Sequence, residues 1–297
     1  MATTPAYRSV LARGEGWVLR ACRWKTGYAS LEVLARSQAL ADRVLADAAR
    51  GASEAAPADP HRAAVGFWHG HSRGSSRVER TVAVAPWDEI RANCSGDTAA
   101  AIDRVMAVVP EAARGRLLLL HGPPGTGKTT ALRALAHSWR RWCQVDYVLD
   151  PERLLNDSGY LLAAALGDDD EPADRWRLLV LEDCDELIGA GAKAATGQAL
   201  ARLLNLTDGL LGQGLRLLVA LTTNEPLDRL HPAIVRPGRC LAQIEVGRLT
   251  PAEVRRWLGR SLPLAAEGVT LAELCALRGD GDTIEHRSDP VRLGQYL

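Results

Sequence analysis

Leu117-Leu-Leu-Leu-His121-Gly122-Pro123-Pro124-Gly125-Thr126-Gly127-Lys128-Thr129-Thr130 is the run of residues from which the rest of the chain can be read. A short apolar run entering a glycine-rich turn, with a helical pattern after it, is how a buried strand feeds a phosphate-binding loop. The spacing fits G-x-x-x-x-G-K-[ST], with Gly122, Gly127, Lys128 and Thr129 in the fixed places. Glycines let backbone N–H groups turn inward around an anion, and the helix that follows points its positive end at it. Lys128 would reach the β- and γ-phosphates of a nucleoside triphosphate, and the Thr129 hydroxyl would bind the accompanying magnesium ion. Gly122, Pro123, Pro124, Gly125, Thr126, Gly127, Lys128, Thr129 and Thr130 are therefore the candidate nucleotide-binding residues.

Downstream of the loop, Leu132, Leu135, Ala136 and Trp139 mark a helix face that packs on a sheet, and residues 144–149 read as the next strand. Strand, helix, strand implies a parallel, doubly wound α/β sheet. Leu178-Leu-Val-Leu181-Glu182-Asp183-Cys184-Asp185-Glu186 is a continuous apolar strand that ends in carboxylates. Acids at the carboxyl end of a parallel strand fall where ligands bind, so Glu182 and Asp183 are candidates for the magnesium ion and the attacking water. Residues 217–221 form a further buried strand with Thr222-Thr-Asn224 at its end. The neutral Asn224 amide can hold a water against the γ-phosphate without adding charge. Beyond it, Arg236-Pro-Gly-Arg239 presents two arginines on a loop, suited to neutralising a transferring phosphoryl group.

Upstream, residues 97–109 read as a helix with Asp97 as N-cap and Ile102, Val105, Met106 and Val109 as its apolar stripe. Strand-like runs at 65–71 and 78–85 flank the turn cluster Ser72-Arg-Gly-Ser-Ser76 and predict a hairpin. His69 and His71 share one face of it, but no carboxylate or cysteine completes a metal set at a recognisable spacing. Residues 51–60 have the composition of a linker. Residues 1–60 read as a small helical segment, in which Leu34, Ala41, Leu45 and Ala48 line one helix face.

Bulk composition narrows the classes. The chain has 297 residues and zero formal net charge, so no polyanion or membrane surface is an expected obligatory partner. Six dispersed cysteines, with no C-x-x-C pair, fit reduced thiols in a cytoplasmic protein. No basic-then-apolar leader pattern and no membrane-length apolar run is present. Trp139-Arg-Arg-Trp142 mixes basic and aromatic residues, and a solvated helix end is the expected reading of it rather than a nucleic-acid surface. The acidic run Asp168-Asp-Asp-Glu171 reads as a solvated loop.

The order of phosphate loop, apolar-acidic strand, Thr-Thr-Asn224 and His231-Pro-Ala-Ile-Val-Arg-Pro-Gly-Arg239 resembles the AAA branch of the AAA+ ATPases, as does Ala201-Arg-Leu-Leu-Asn-Leu-Thr-Asp-Gly209. The resemblance covers roughly residues 86–275. It implies that residues 122–129 are the Walker A loop, Glu182-Asp183 the Walker B pair, Asn224 sensor 1, and Arg239 an arginine finger acting on a neighbouring subunit's ATP. It also implies a ring closed by head-to-tail contacts, most often of six subunits, with Trp87 and Ile90 bordering the adenine. Departures accompany it. The acidic pair is Glu then Asp where the family has Asp then Glu, and the alternative pair Asp185-Glu186 has the usual order but lies further past the strand end. Ala242 stands where many members carry a second arginine, no sensor 2 residue is evident, and the segment after Arg248 is short for a helical lid. Gly159-Tyr160-Leu161 falls near the family's aromatic pore loop, with packing at a helix start as the competing role for Tyr160.

The expectation is then an N-terminal region over 1–85 for substrate or partner recognition, a nucleotide-binding core over 86–249, and a short helical lid and tail over 250–297. The implied function is Mg2+-dependent ATP hydrolysis by a homo-oligomeric ring that remodels a protein or macromolecular complex, with Lys128, Glu182, Asp183, Asn224 and Arg239 as catalytic residues and an unidentified protein as client. A slow or non-hydrolysing nucleotide switch is the alternative. A nucleic-acid loader is disfavoured by the neutral net charge, and a metabolic kinase has no need of the Asn224 and Arg239 elements.

Overall fold

The computed structural model describes residues 7–24, 29–50, 59–113, 115–167, 175–188, 202, 204, 215–236, 238–260 and 267–278. The chain divides into two compact units, Met1–Asp59 and Pro60–Leu297.

The first unit corrects the helical reading of residues 1–60. Strands β1 (Tyr7–Gly14), β2 (Trp17–Trp24) and β3 (Ala29–Ala35) form an antiparallel meander, followed by helix α1 (Gln38–Ala49). In β3, Leu31, Val33 and Ala35 are half-buried while Glu32 and Leu34 are exposed, which is strand alternation rather than helix periodicity. Leu34 is 78% exposed, so it is not part of a helix stripe. The helix starts only after Ser37, whose hydroxyl accepts the Leu40 N–H as N-cap.

The second unit is built on a seven-stranded sheet. Its strands are β4 (Arg62–His71), β5 (Gly74–Ala83), β6 (Leu117–His121), β7 (Cys143–Val148), β8 (Trp176–Leu181), β9 (Leu217–Thr223) and β10 (Cys240–Glu245). The order is β10-β6-β9-β8-β7-β4-β5, parallel except for the β4–β5 pair. This is the P-loop type of doubly wound sheet. Continuous apolar strands are needed because both faces are covered. Leu117 and Leu119 enter one core with Leu179, Leu181, Val219 and Leu221, while Leu118 and Leu120 enter the other with Val180 and Ala220.

Helix α2 (Trp87–Ile90) and helix α3 (Gly96–Met106) lead to the phosphate-loop strand. Ser95, not Asp97, caps α3, its hydroxyl accepting the Thr98 N–H, and Val109 lies beyond the helix and is 51% exposed. Helix α4 (Lys128–Trp139) buries Leu132, Leu135, Ala136 and Trp139 as expected, and the Trp139 indole N–H donates to the Val105 carbonyl at 3.2 Å. Helices α5 (Pro151–Asn156) and α6 (Ser158–Leu166) follow β7, and α7 (Asp185–Ile188) follows β8. Tyr160 is a packing residue. It is 2% exposed, its phenol donates to Asp150 at 2.8 Å, and its ring faces Trp68 at 6.3 Å.

The predicted hairpin forms as β4 and β5, with a tight turn at Ser72-Arg73 and Gly74 at φ +135°. It does not stand apart with residues 1–59, because β4 pairs in parallel with β7. A buried ionic cluster fastens it there. Asp146 on β7, fully buried, accepts from Arg77 of β5 at 2.9 Å, Arg177 of β8 at 2.6 Å and the Trp68 indole of β4 at 3.1 Å. Helices α8 (Pro251–Leu258) and α9 (Leu271–Arg278) form the helical segment after β10 and bury Leu249, Val254 and Leu274 between them. A capping box, Thr250 with Glu253, starts α8. The regions expected at 168–172, 205–209 and 280–297 lie outside the described residues.

Candidate functional site

The site is assembled where β6, β8 and β9 end. The strand ends lie in register, Leu181 opposite Leu221 and His121 opposite Thr223, so the segments that follow emerge side by side. After His121 the chain turns through Gly122, Gly125 and Gly127, at φ +128°, +74° and +100°. A side chain at Gly122 would come within 2.5 Å of the Val246 carbonyl, so backbone crowding as well as φ requires glycine there. The Thr126 hydroxyl closes the turn by donating to the Pro123 carbonyl at 2.9 Å.

Lys128 opens α4 and is only 8% exposed. Its ammonium donates to the carbonyls of Gly122 at 2.7 Å and Pro123 at 3.0 Å, and to Asn224 Oδ1 at 2.8 Å. Burial pulls its pKa down, opposed by the nearby Asp183, Asp185 and Glu182 carboxylates. A lysine already ringed by carbonyl oxygens is prepared to exchange them for phosphate oxygens.

Glu182 and Asp183 follow β8 with different surroundings. Burial pushes the Glu182 carboxyl up, against a hydrogen bond from the Thr129 side chain, and Glu182 Oε1 is buried with no hydrogen-bond partner. An orphaned carboxylate oxygen beside a hydroxyl suits a hard cation that takes oxygen ligands, so Thr129 and Glu182 fit magnesium. Among the described residues no group of three or more His, Cys, Asp or Glu side chains could by itself hold a metal. Asp183 has φ +52°, unusual for a non-glycine residue, and its N–H donates to Thr222 Oγ1 at 3.0 Å. Its side chain lines a cavity of about 540 Å3 with the phosphate loop, Asn224, Leu271, Ala272 and Cys275. The α9 segment closes one side of that cavity, the Ala272 N–H donating to the Gly125 carbonyl at 2.9 Å.

Asp185, with Glu186 the alternative acidic pair in the usual order, takes a role the sequence does not indicate: it holds Asn224. Its carboxylate accepts the Thr223 hydroxyl, the Asn224 N–H at 2.8 Å and Asn224 Nδ2 at 3.1 Å. Burial raises its pKa, but these hydrogen bonds and the Lys128 charge outweigh it and leave the carboxyl below its ordinary value. With Nδ2 committed to Asp185, Asn224 turns its carbonyl oxygen to Lys128 and the cavity.

Arg239 stands apart from this group. Its carbonyl accepts the N–H groups of Arg116 and Leu117, at the start of β6, and its guanidinium donates to the Ala233 carbonyl. β10 runs parallel to β6 from Cys240 opposite Leu117 to Glu245 opposite His121. Arg239 thus lies a strand length, about 13 Å, from the end of β6 that carries the phosphate loop. Trp87 turns onto α3, donating to Asp103 at 2.7 Å.

Residues 118–248 match the family model described as ATPase family associated with various cellular activities (AAA). That stretch is an AAA ATPase domain. Residues 1–107 match a second family model, a domain of unknown function (DUF5925), so the AAA domain follows a distinct N-terminal region. Curated relatives match part of the chain. "Mitochondrial chaperone BCS1" of Homo sapiens is 33% identical over 193 residues, 58% of this chain and 43% of that protein. "Cell division cycle protein 48 homolog" of Archaeoglobus fulgidus is 33% identical over 171 residues, 54% of this chain and 22% of that protein. "Protein CdcH" of Halobacterium salinarum is 32% identical over 148 residues, 47% and 18% respectively. The chain thus spans less than half the length of each of these relatives.

Proposed function

We propose that this AAA protein hydrolyses ATP with magnesium as a closed ring, and that the cycle remodels a protein or protein complex in the cytoplasm. The observation that carries it is the convergence of Lys128, Thr129, Glu182, Asp183 and Asn224 at adjoining strand ends, with Arg239 at the opposite end of the sheet. Lys128 leaves the loop carbonyls for the β- and γ-phosphates. Thr129 and Glu182 would hold the magnesium ion, which supplies charge neutralisation at the phosphate oxygens. Asp183 accepts a proton from water as the water oxygen bonds to the γ-phosphorus, and the bond to the bridging oxygen breaks to leave ADP and phosphate. The Asn224 carbonyl oxygen, freed by Lys128, accepts the water's other proton in a hydrogen bond. Arg239 is too far from its own phosphate loop to serve it, so a neighbouring subunit's ATP is its target, which calls for head-to-tail contacts that close. The chaperone names among the relatives support a protein client, and the six cysteines, none in a disulfide, support a reducing compartment.

Steady-state ATP hydrolysis across protein concentrations, beside Asp183→Asn and Glu182→Gln, tests this reading. Specific activity should rise with concentration and collapse in Asp183→Asn. Turnover that survives Asp183→Asn would move the base to another residue. Absence of turnover with ATP still bound would establish the second reading, a nucleotide switch. That reading is favoured by Asp183 being one methylene shorter than glutamate, which changes its reach by about an ångström.

A further inference from the structure

At the N-terminal ends of β7, β8 and β9, on the sheet edge away from the phosphate loop, lies a second cavity of about 500 Å3. Arg141, Trp142, Arg175, Trp176 and Arg216 line it, with Glu111 the one acid among the described lining residues. Backbone hydrogen bonds set these residues side by side. The Trp176 N–H donates to the Trp142 carbonyl at 3.0 Å, and the Arg177 N–H to the Arg216 carbonyl at 2.8 Å. Trp142 and Trp176 are half-buried and meet edge-on at 6.2 Å, with Trp142 backed by Trp139 at 4.7 Å. A fourth guanidinium, Arg116, lies over the Trp176 ring at 4.6 Å. Among the described residues, no carboxylate forms an ion pair with Arg116, Arg141, Arg175 or Arg216.

Among the described residues, four guanidinium groups gather about one carboxylate, Glu111, and an anion in the pocket would relieve the repulsion that is left between them. Guanidinium forks match phosphate oxygens, and indole rings offer faces and edges to a planar base. An acidic peptide would use the arginines and leave the indoles without a role. The volume is that of a small-molecule site.

We propose that this pocket binds a nucleotide unit, its base against Trp142 and Trp176 and its phosphate on Arg141, Arg175 and Arg216. A free nucleotide and a single-stranded nucleic acid present the same chemistry. The site is independent of the phosphate loop and of the ATPase reading.

The test uses the full chain carrying Lys128→Ala, which removes the main phosphate contact of the ATP site. Anisotropy of a labelled mixed-sequence ten-nucleotide single strand, as DNA and as RNA, is measured beside calorimetry with AMP. Binding should weaken about tenfold or more in Arg141→Glu/Arg216→Glu, both exposed positions, with an unchanged melting temperature. A Trp142→Leu change, checked for the same melting temperature, should cost about tenfold through lost stacking. Oligonucleotide binding with a log–log salt slope of about −2, for some three phosphates, identifies a nucleic-acid strand as the source. AMP binding without it identifies a free nucleotide. The proposal is overturned if neither probe binds at low salt, or if the double charge reversal leaves binding intact. Competition by polyglutamate equal to that by the oligonucleotide would also overturn it, making the pocket an acidic-peptide site.

Discussion

Asp185 holds Asn224 by two groups at once, accepting its backbone N–H at 2.8 Å and its side-chain Nδ2 at 3.1 Å. This grip decides which way the amide faces. The nitrogen meets a carboxylate and the oxygen meets the Lys128 ammonium, whereas the flipped amide would set donor against donor and acceptor against acceptor.

Asp185→Ala should therefore disorder the Asn224 amide without removing it. The expected result is a fall in kcat of about tenfold or more, since misplacement of about an ångström at a reacting centre has that scale. ATP affinity, measured by equilibrium binding, should change far less. A matching loss from Asn224→Ala alone and no further loss in the double variant would show that both act through one contact. An unchanged kcat would show that Asn224 keeps its orientation without the carboxylate.

The same carboxylate carries a pH signature. Its pKa lies below the ordinary value, so its stabilising effect is full above that value, about 3.9, and is lost as pH falls through the folded-state pKa. The stability difference between the wild type and Asp185→Asn should stay flat from about pH 5 to 8 and close below about pH 4. Urea midpoints across that range measure it.

Much of this site is legible in the sequence. The phosphate loop has a fixed spacing because backbone geometry around phosphate leaves little freedom, and the apolar strands 178–181 and 217–221 are continuous because both faces of the sheet are covered. Asp185 was not legible in the same way. It sits four residues past its strand, and its role depends on β8 and β9 being neighbours, which no local pattern states. The N-terminal meander was misread for a related reason. Its strands are half-exposed, so Leu34 and Leu45 could be joined into a helix stripe, whereas Leu31, Val33 and Ala35 carry the period-two signal. Ser95 displaced Asp97 as N-cap because either residue type satisfies the same orphan N–H groups, and only the backbone selects between them.

Glu182 trades stability for function. Burial raises its pKa, so the folded state is favoured while it is protonated and loses stability as pH rises from the ordinary carboxylate value through the raised one. Glu182→Gln removes that loss. At pH 7 without nucleotide, its melting temperature should exceed the wild type by about 1–2 °C, while magnesium-dependent turnover falls about 100-fold or more. A lower melting temperature would mean that the Thr129 hydrogen bond outweighs the burial of the charge.

The hairpin depends on the Asp146 cluster. Asp146→Ala leaves Arg77 and Arg177, 6% and 8% exposed at their side chains, without their shared carboxylate. Removing one member of such a buried ionic group costs about 3–5 kcal/mol. Gly66→Ala strikes the same cluster from the neighbouring strand, where Gly66 pairs with Asp146 and a new carbon would collide with Asp146 Oδ1. Urea unfolding should show both variants destabilised, Asp146→Ala by that amount. A loss under about 1 kcal/mol in Asp146→Ala would show that water reaches the arginines.

Arg239 gives the sharpest separation of subunits. Lys128→Ala lacks a working phosphate loop but still offers Arg239, and Arg239→Ala has the loop but lacks the arginine. Each variant alone should be inactive, with Arg239→Ala retaining ATP binding. In a random equal mixture, about a quarter of head-to-tail interfaces pair an intact loop with an intact Arg239. ATPase activity of the mixture should therefore return to roughly that fraction of wild type, with co-purification of differently tagged variants confirming that they assemble together. Co-assembly with no recovered activity would place the action of Arg239 within its own subunit. That would contradict the strand length between Arg239 and the phosphate loop of its own chain.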